Sequence, residues 1–313
     1  MTPDGGRLAA VIVSYNSARW LPACLTSIRA MAGDLELDIV VVDSGSTDDT
    51  TELMRREFPD VRLVETENHG FAAANNRGLE VVDADWVLFI NPDTRILSGT
   101  LEELVALLRA RPKVGLAGVK QIDENGVMDP TMRRFPTAIR SLFVSLGAEK
   151  LPIRSSWTGE RVLDLPLYDH ETPCDWTVGS FMLVRRATLD DVGELDERFF
   201  LYCEETDFCF RIRQAGWEIV HFPQMTIFHH SSTTGSDEML SRQMAFARRQ
   251  YMAKHFGRAH RTAGTLALAV GYAMRAISPG RSPDRRKRRA SARSGLATLL
   301  GLTPPPFGDG SSR

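Results

Sequence analysis

The sequence predicts an α/β protein, Rossmann-like, with a mostly parallel central sheet flanked by helices. Three observations carry this. Short β-branched apolar runs alternate with segments of helical apolar spacing. The runs are nearly continuous in their apolarity, as strands covered on both faces must be. Polar residues gather where each run ends, the place at which such sheets bind ligands.

In chain order, "LAAVIVSYN" reads as a strand ending in Ser14, Tyr15 and Asn16, and "LPACLTSIRAM" as a helix behind Pro22. "LDIVVVDSGSTDDTTELMRREF" repeats the unit, with a buried strand Ile39 to Val42, a turn at Asp43 and Ser44, and a helix from about Asp48. "VRLVETENHGFAAANNRGLEVV" supplies a third strand, loop and helix, and "WVLFINPDTRI" a fourth strand that turns polar at Asn91, Pro92 and Asp93. A helix over Leu101 to Ala110 and a strand near Gly115 to Val119 follow. Residues 121 to 175 are loop-rich, an insertion over the sheet edge. Order returns with a strand Gly179 to Val184, a helix Glu205 to Ala215, a strand Glu218 to Phe222 and a helix Asp237 to His255. No internal repeat is visible.

Composition is that of an ordinary globular protein, 43% hydrophobic and 25% charged over 313 residues. The four cysteines form no C-x-x-C pair and lie on core-like runs, which predicts buried reduced thiols. The first residues lack the basic, apolar and cleavage regions of a signal peptide, so a cytoplasmic compartment is expected. The net charge of −2 is unevenly spread: from Gly257 onward eleven Arg and Lys face two acids, while the rest has 27 against 38. Such a basic tail suits an anionic partner. Nucleic acid is not the expected one, because the basic run is confined to the tail and lacks interleaved aromatics.

Several polar positions admit two readings. Asp43 at a strand end is either an Asx turn or a hydrogen-bond acceptor for a bound base or ribose. Asp93 either caps a turn or supplies a hard oxygen to a cation beside a diphosphate, since Mg²⁺ takes one or two carboxylates plus phosphate oxygens and water. Glu204, Glu205 and Asp207 at a helix start either complement the helix dipole or, emerging from the bulky wall of "ERFFLY", supply a desolvated general base. His229 and His230 should point to opposite faces of a strand, so one can reach a metal or phosphate while the other packs. Arg133 and Arg134 are either solvated or a clamp on phosphate.

Taken together and in this order, "VIVSYNSARWLPACLTSI", "VVVDSGSTDDT", "NHGFAAANNRG", "FINPD", "GSFMLVRR", "FFLYCEETDFCFRIRQAGW" and "HFPQMTIFHH" resemble a family 2 inverting glycosyltransferase of the GT-A fold, over roughly Leu8 to Ser232. The resemblance implies a nucleotide-diphosphate sugar donor held by Val13, Ser14, Tyr15, Asp43, Asn75, Asn91 and Asp93. It implies Mg²⁺ or Mn²⁺ on Asp93 and His229, with Asn91 standing where many relatives have the first Asp of D-x-D. Glu205 takes the place of the base, where Asp is more usual, and the extra methylene of about 1 Å keeps Glu204 and Asp207 as alternatives. Arg133, Arg134, Trp176, Gly179 and His230 fall in the half that holds the acceptor or its diphosphate.

Within the family the phrasing is nearest to rhamnosyltransferases, which implies dTDP-rhamnose as donor and a lipid-linked sugar as acceptor. A nucleotide-sugar binder without transferase activity, or a transferase using a UDP or GDP sugar, is the alternative. The sequence does not fix the oligomeric state. The expected organisation is a catalytic domain over 7–235, a helical segment over 236–277 and a basic, disordered tail over 278–313. "GTLALAVGYAM" is too short to span a bilayer, yet beside "RRKRR" it predicts peripheral attachment at the inner face of the plasma membrane.

Overall fold

The computed structural model of the chain describes residues 6–147, 159–230, 237–278 and 283–307. The elements are β1 (Arg7–Ser14), α1 (Leu21–Ala30), β2 (Glu36–Asp43), α2 (Thr50–Glu57), β3 (Arg62–Glu65), α3 (Phe71–Leu79), β4 (Trp86–Ile90), β5 (Thr94–Ser98), α4 (Leu101–Arg109) and β6 (Val114–Ile122). They continue through β7 (Met132–Arg133), α5 (Ala138–Ser145), β8 (Thr172–Pro173), β9 (Trp176–Thr177), β10 (Phe181–Arg185), α6 (Arg186–Val192), α7 (Glu204–Gln214), β11 (Glu218–His229), α8 (Asp237–His255), α9 (Arg258–Ile277) and α10 (Pro283–Leu299).

The main sheet runs β3-β2-β1-β4-β10-β6-β11-β5, with β8 paired to β11 off that path. Strands β3, β2, β1 and β4 are mutually parallel, as are β6 and β11. Between these blocks β10 runs antiparallel to both neighbours. Alternation along β1 sorts the two cores. Leu8, Ala10 and Ile12 face α1 and α4, whose Leu21, Leu25, Ile28, Leu101 and Leu104 cover that side. Val11, with Val87, Phe89, Met182 and Val184, faces the opposite layer of α3, α6 and α7. There Phe89 of β4 meets Phe208 of α7 edge to face, with ring centroids 6.5 Å apart. That contact fixes the acid-bearing helix to the sheet centre, and truncating Phe208 would cost about 3–5 kcal/mol.

Three elements depart from expectation. The polar turn after β4 leads straight into β5, an edge strand antiparallel to the end of β11. Strand β11 itself does not stop at Phe222 but runs on to His229, with a register shift between Phe222 and Thr226 that accommodates Pro223, a residue with no N–H to give a neighbour.

The expected disordered tail is in part a helix. Helix α10 buries Ala292 and Leu299 against Ala245 of α8 and Tyr272 and Ala276 of α9. Gly295 permits the close approach, since a Cβ there would lie 2.5 Å from the Tyr272 ring. The charge run occupies the first turns of α10, where Arg285, Arg286, Lys287 and Arg288 are exposed.

Helices α5 and α9 cross where Gly271 meets Ser145. Both carry exposed apolar stripes at helical spacing: Ile139, Leu142, Phe143 and Leu146 around α5, and Leu266, Val270, Met274 and Ile277 along α9, with Ile277 79% exposed. No helix of the described residues is long and apolar enough to cross a membrane.

Candidate active site

A cleft of about 590 Å³ opens at the carboxyl ends of β1, β2 and β4. Its polar side is lined by Tyr15, Asn16, Ser44, Asn68, Asn91, Asp93 and His229, and its apolar side by Phe71, Phe200, Leu201, Tyr202, Met239 and Phe307. Cross-linking hydrogen bonds hold the first two strand-end loops together. Asn16, at φ 52°, accepts from Thr47 N at 2.7 Å and Asp48 N at 3.2 Å through Oδ1, and its own N donates to Ser46 Oγ at 2.8 Å. The Asp43 carboxylate is buried and accepts from Ser46 N at 2.9 Å and Ser46 Oγ at 2.5 Å. The Asx-turn reading of Asp43 therefore describes its contacts, and it shapes the turn that brings Ser44 to the cleft. Ser14 Oγ and Ser44 Oγ are both buried without a hydrogen-bond partner, two polar atoms ready for a ligand at this end.

Asp93 and His229 meet because β5 pairs with the end of β11, with Thr94 opposite His229. His229 Nε2 lies 3.2 Å from Asp93 Oδ1 and 3.3 Å from Asn91 Nδ2. Asn91 Oδ1 is buried with no partner. Among the described residues no group of three His, Cys, Asp or Glu side chains converges to hold a metal by itself. One carboxylate oxygen, one imidazole nitrogen and one orphaned amide oxygen are nevertheless a donor set that fits a hard divalent cation whose other ligands come from phosphate and water. The His230 ring packs on the cleft-lining Trp20, with centroids 4.3 Å apart.

The three acids at the head of α7 have different environments. Asp207 is 0% exposed and bound by Arg211 Nε at 3.0 Å, Lys254 Nζ at 2.6 Å and His255 Nε2 at 2.6 Å. Burial tends to raise its pKa, but His255, Lys254 and Arg211 outweigh that and hold it below the usual value. This carboxylate is thus taken up in tying α7 to α8.

Glu204 and Glu205 each have a buried Oε2 without a partner. Burial pushes both carboxyls up. For Glu204 the charge of Glu205 adds to it, whereas for Glu205 its own backbone N–H, Arg248 and Arg133 oppose it. Burial thus disfavours the charge at both carboxyls, and only at Glu205 do nearby cations oppose it. Glu204 is only 5% exposed, while Glu205 is partly exposed and lies across Gly179 from the cleft residue Phe71. A Cβ at Gly179 would stand 3.8 Å from Glu205 Cβ and 3.9 Å from Phe71 Cε1.

Backbone strain sets this corner. Tyr202 and Cys203, both non-glycine, have φ of 71° and 68°, at a cost of about 1–2 kcal/mol each. The neighbouring Gly70 has φ 98°, and a Cβ there would come within 2.4 Å of Phe200 O. Phe71 N donates to that same Phe200 O at 2.7 Å, so the two loops lock together.

The remaining expected residues divide between the site and its frame. Val13 and Tyr15 line the cleft. Asn75 does not: it is buried inside α3 with Nδ2 donating to Phe71 O at 2.8 Å, because the helix carries it to the sheet-facing side. Trp176 is a core residue whose Nε1 donates to Arg134 O at 3.1 Å. Arg133 packs over the Trp176 ring at 5.9 Å, donates to Pro130 O, and feels the charge of Glu205. Arg134 donates to Arg161 O at 3.4 Å. Sequence reasoning missed Trp20, Asn68, Phe71, Phe200 and Phe307. All but Phe307 lie within the motifs quoted for the family resemblance, and Phe200 also within the apolar wall of "ERFFLY".

A parallel α/β sheet interrupted by an antiparallel strand, with a carboxylate-histidine pair and a desolvated acid at its ligand-binding end, is the arrangement expected of a GT-A glycosyltransferase. The chain belongs to glycosyl transferase family 2, whose profile matches residues 9–162; that of glycosyl transferase family group 2 matches residues 86–277. It is similar to N-acetylglucosaminyl-diphospho-decaprenol L-rhamnosyltransferase of Mycobacterium tuberculosis, 32% identical over 243 residues that cover 74% of this chain and 78% of that one. Rhamnosyltransferase WbbL of Escherichia coli (strain K12) is 24% identical over 232 residues, 71% of this chain and 82% of that one. Among solved structures, mannosyltransferase PcManGT from Pyrobaculum calidifontis in complex with GDP-Man and Mn²⁺ shares the fold, with a TM-score of 0.54 at 18% identity over 94% of this chain and 86% of that one.

Proposed function

We propose that this glycosyltransferase moves L-rhamnose from dTDP-rhamnose to a polyprenyl-diphosphate-linked sugar, inverting the anomeric centre. The observation that carries the substrate reading is the likeness, over three quarters of the chain, to a rhamnosyltransferase named for an N-acetylglucosaminyl-diphospho-decaprenol acceptor. In the reaction, Glu205 accepts the proton of an acceptor hydroxyl as that oxygen bonds to the anomeric carbon. The bond from that carbon to the diphosphate breaks, and the nucleoside diphosphate leaves. Ser14, Tyr15, Asp43 and Ser44 hold the nucleoside end. Asp93 and His229, with Asn91, would hold Mg²⁺ or Mn²⁺, which when bound offsets charge on the departing diphosphate. Arg133, half-buried near Glu205, opposes the rise in its pKa and faces the acceptor side.

The acceptor chemistry also gives α5 and α9 a role. Their exposed apolar stripes, with the basic start of α10 following α9 in the chain, suit peripheral binding at an anionic lipid surface of the cytoplasmic leaflet. The test of the function is release of nucleoside diphosphate from a panel of dTDP, UDP and GDP sugars, with and without a polyprenyl-diphosphate N-acetylglucosamine acceptor. Acceptor-dependent turnover of dTDP-rhamnose is expected; turnover of a UDP or GDP sugar alone would overturn the donor assignment.

A further inference from the structure

The segment that follows α10 returns to the cleft. Leu302 N donates to Ala297 O at 2.8 Å, the Thr298 and Thr303 hydroxyls meet at 2.8 Å, and Arg242 Nη2 of α8 donates to Pro304 O at 2.7 Å. These bonds deliver Phe307 onto Phe200, the rings stacked with centroids 5.0 Å apart and planes 9° apart. Both rings line the cleft. Phe200 is also the residue whose carbonyl holds Phe71, and Phe71 stands across Gly179 from Glu205. An aromatic wall thus runs from the proton acceptor to a residue some hundred positions later in the chain.

We infer that Phe200 and Phe307 form the subsite for the sugar ring of the acceptor, with Phe307 setting how tightly that ring is held. The inference rests on the proposed transferase reading. Three features favour a sugar ring of the acceptor over the donor. The wall lies on the Glu205 side, where the attacking hydroxyl must be. The donor's base, ribose and diphosphate have polar partners at the strand ends, whereas Phe200, Leu201, Met239 and Phe307 offer none. Aromatic faces, finally, suit the C–H face of a pyranose, burying apolar area without requiring a hydrogen bond.

The test uses the full chain with dTDP-rhamnose and polyprenyl-diphosphate N-acetylglucosamine, comparing Phe307→Ala, Phe307→Leu and Phe307→Tyr. Loss of one stacking contact should raise the acceptor KM about tenfold in Phe307→Ala. Phe307→Leu should recover little, because it restores volume but no flat face, and Phe307→Tyr should return to the starting value. The donor KM and the slow hydrolysis of donor without acceptor should stay within about twofold, which a general loss of structure would not allow. An unchanged acceptor KM in Phe307→Ala, or an equal rise in the donor KM, overturns the inference. Absence of any transfer by the unaltered protein would instead fail the substrate reading, so the two failures are distinct.

Discussion

Replacing Glu205 by Gln tests the site most sharply, because the structure predicts opposite effects on rate and on stability. Gln keeps the shape of the side chain and cannot take a proton. Removing a positioned general base costs about 10²–10⁴-fold in rate, or roughly 3–5 kcal/mol of barrier. Burial already disfavours the charge at Glu205 and raises its pKa. A group raised in the folded state leaves stability intact below its unfolded pKa and lowers it as pH climbs toward the folded one, so a neutral side chain should fold at least as stably at pH 8. The assay is single-turnover transfer together with thermal unfolding across pH. The unaltered enzyme should show an acid limb above the usual carboxylate range, with activity rising as Glu205 loses its proton, and that limb should vanish from the residual activity of Glu205→Gln. Rate within tenfold of the starting enzyme, or a surviving limb, would show that the proton goes elsewhere. Glu204→Gln is the control: turnover should persist, and the gain in stability over the unaltered protein should grow from pH 5 to pH 8.

Asp207→Asn should act on the fold and not on the chemistry, costing about 3–5 kcal/mol by leaving His255 and Arg211 without their buried counter-charge and Lys254 with Asp196 alone, with kcat largely kept below the melting range. Since the Asp207 pKa is lowered, its contribution is present above the unfolded pKa and lost as pH falls, so the deficit of the variant should shrink in acid. Asp93→Asn should lower turnover about 10²-fold or more and raise the divalent-ion concentration for half-activity, read by titration with Mn²⁺; full turnover in saturating metal would remove Asp93 from that role. Leu142→Asp with Leu146→Asp on α5 should abolish flotation with anionic vesicles while sparing turnover of a short water-soluble acceptor; equal binding would exclude that face.

Much of the sheet was legible because β1, β2 and β4 are buried on both faces and so write their apolarity without interruption. Glu205 was legible only through order: three acids at a helix start are common, and their place after a bulky wall and late in the chain gave them meaning. Its separation from Asp207 needed Lys254 and His255, which arrive from a helix some fifty residues on and leave no local sign. Helix α10 was missed because its charge run dominates the composition, while Ala292, Gly295 and Leu299, which pack it, are quiet in sequence. Asn75 was misplaced for a related reason: an Asn on a helix after a binding loop looks available until the helix turns it inward. Strand β5 was missed since its partner lies beyond the insertion.

That last pairing has a consequence for how the molecule is made. Among the described residues β5 has β11 as its sheet partner, so although Ile96 N already donates to Ser27 Oγ of α1 at 3.1 Å, the loop carrying Asp93 gains its strand pairing only when residues far downstream have been synthesised and inserted beside β6. The block β3-β2-β1-β4 can assemble earlier from nearer neighbours, and contacts of long sequence separation form last. Pulse-labelled hydrogen exchange during refolding should therefore protect β1 and β2 before β5. An intermediate with its nucleoside end ordered and its Asp93–His229 corner still open is the species in which this enzyme would be most exposed to misassembly.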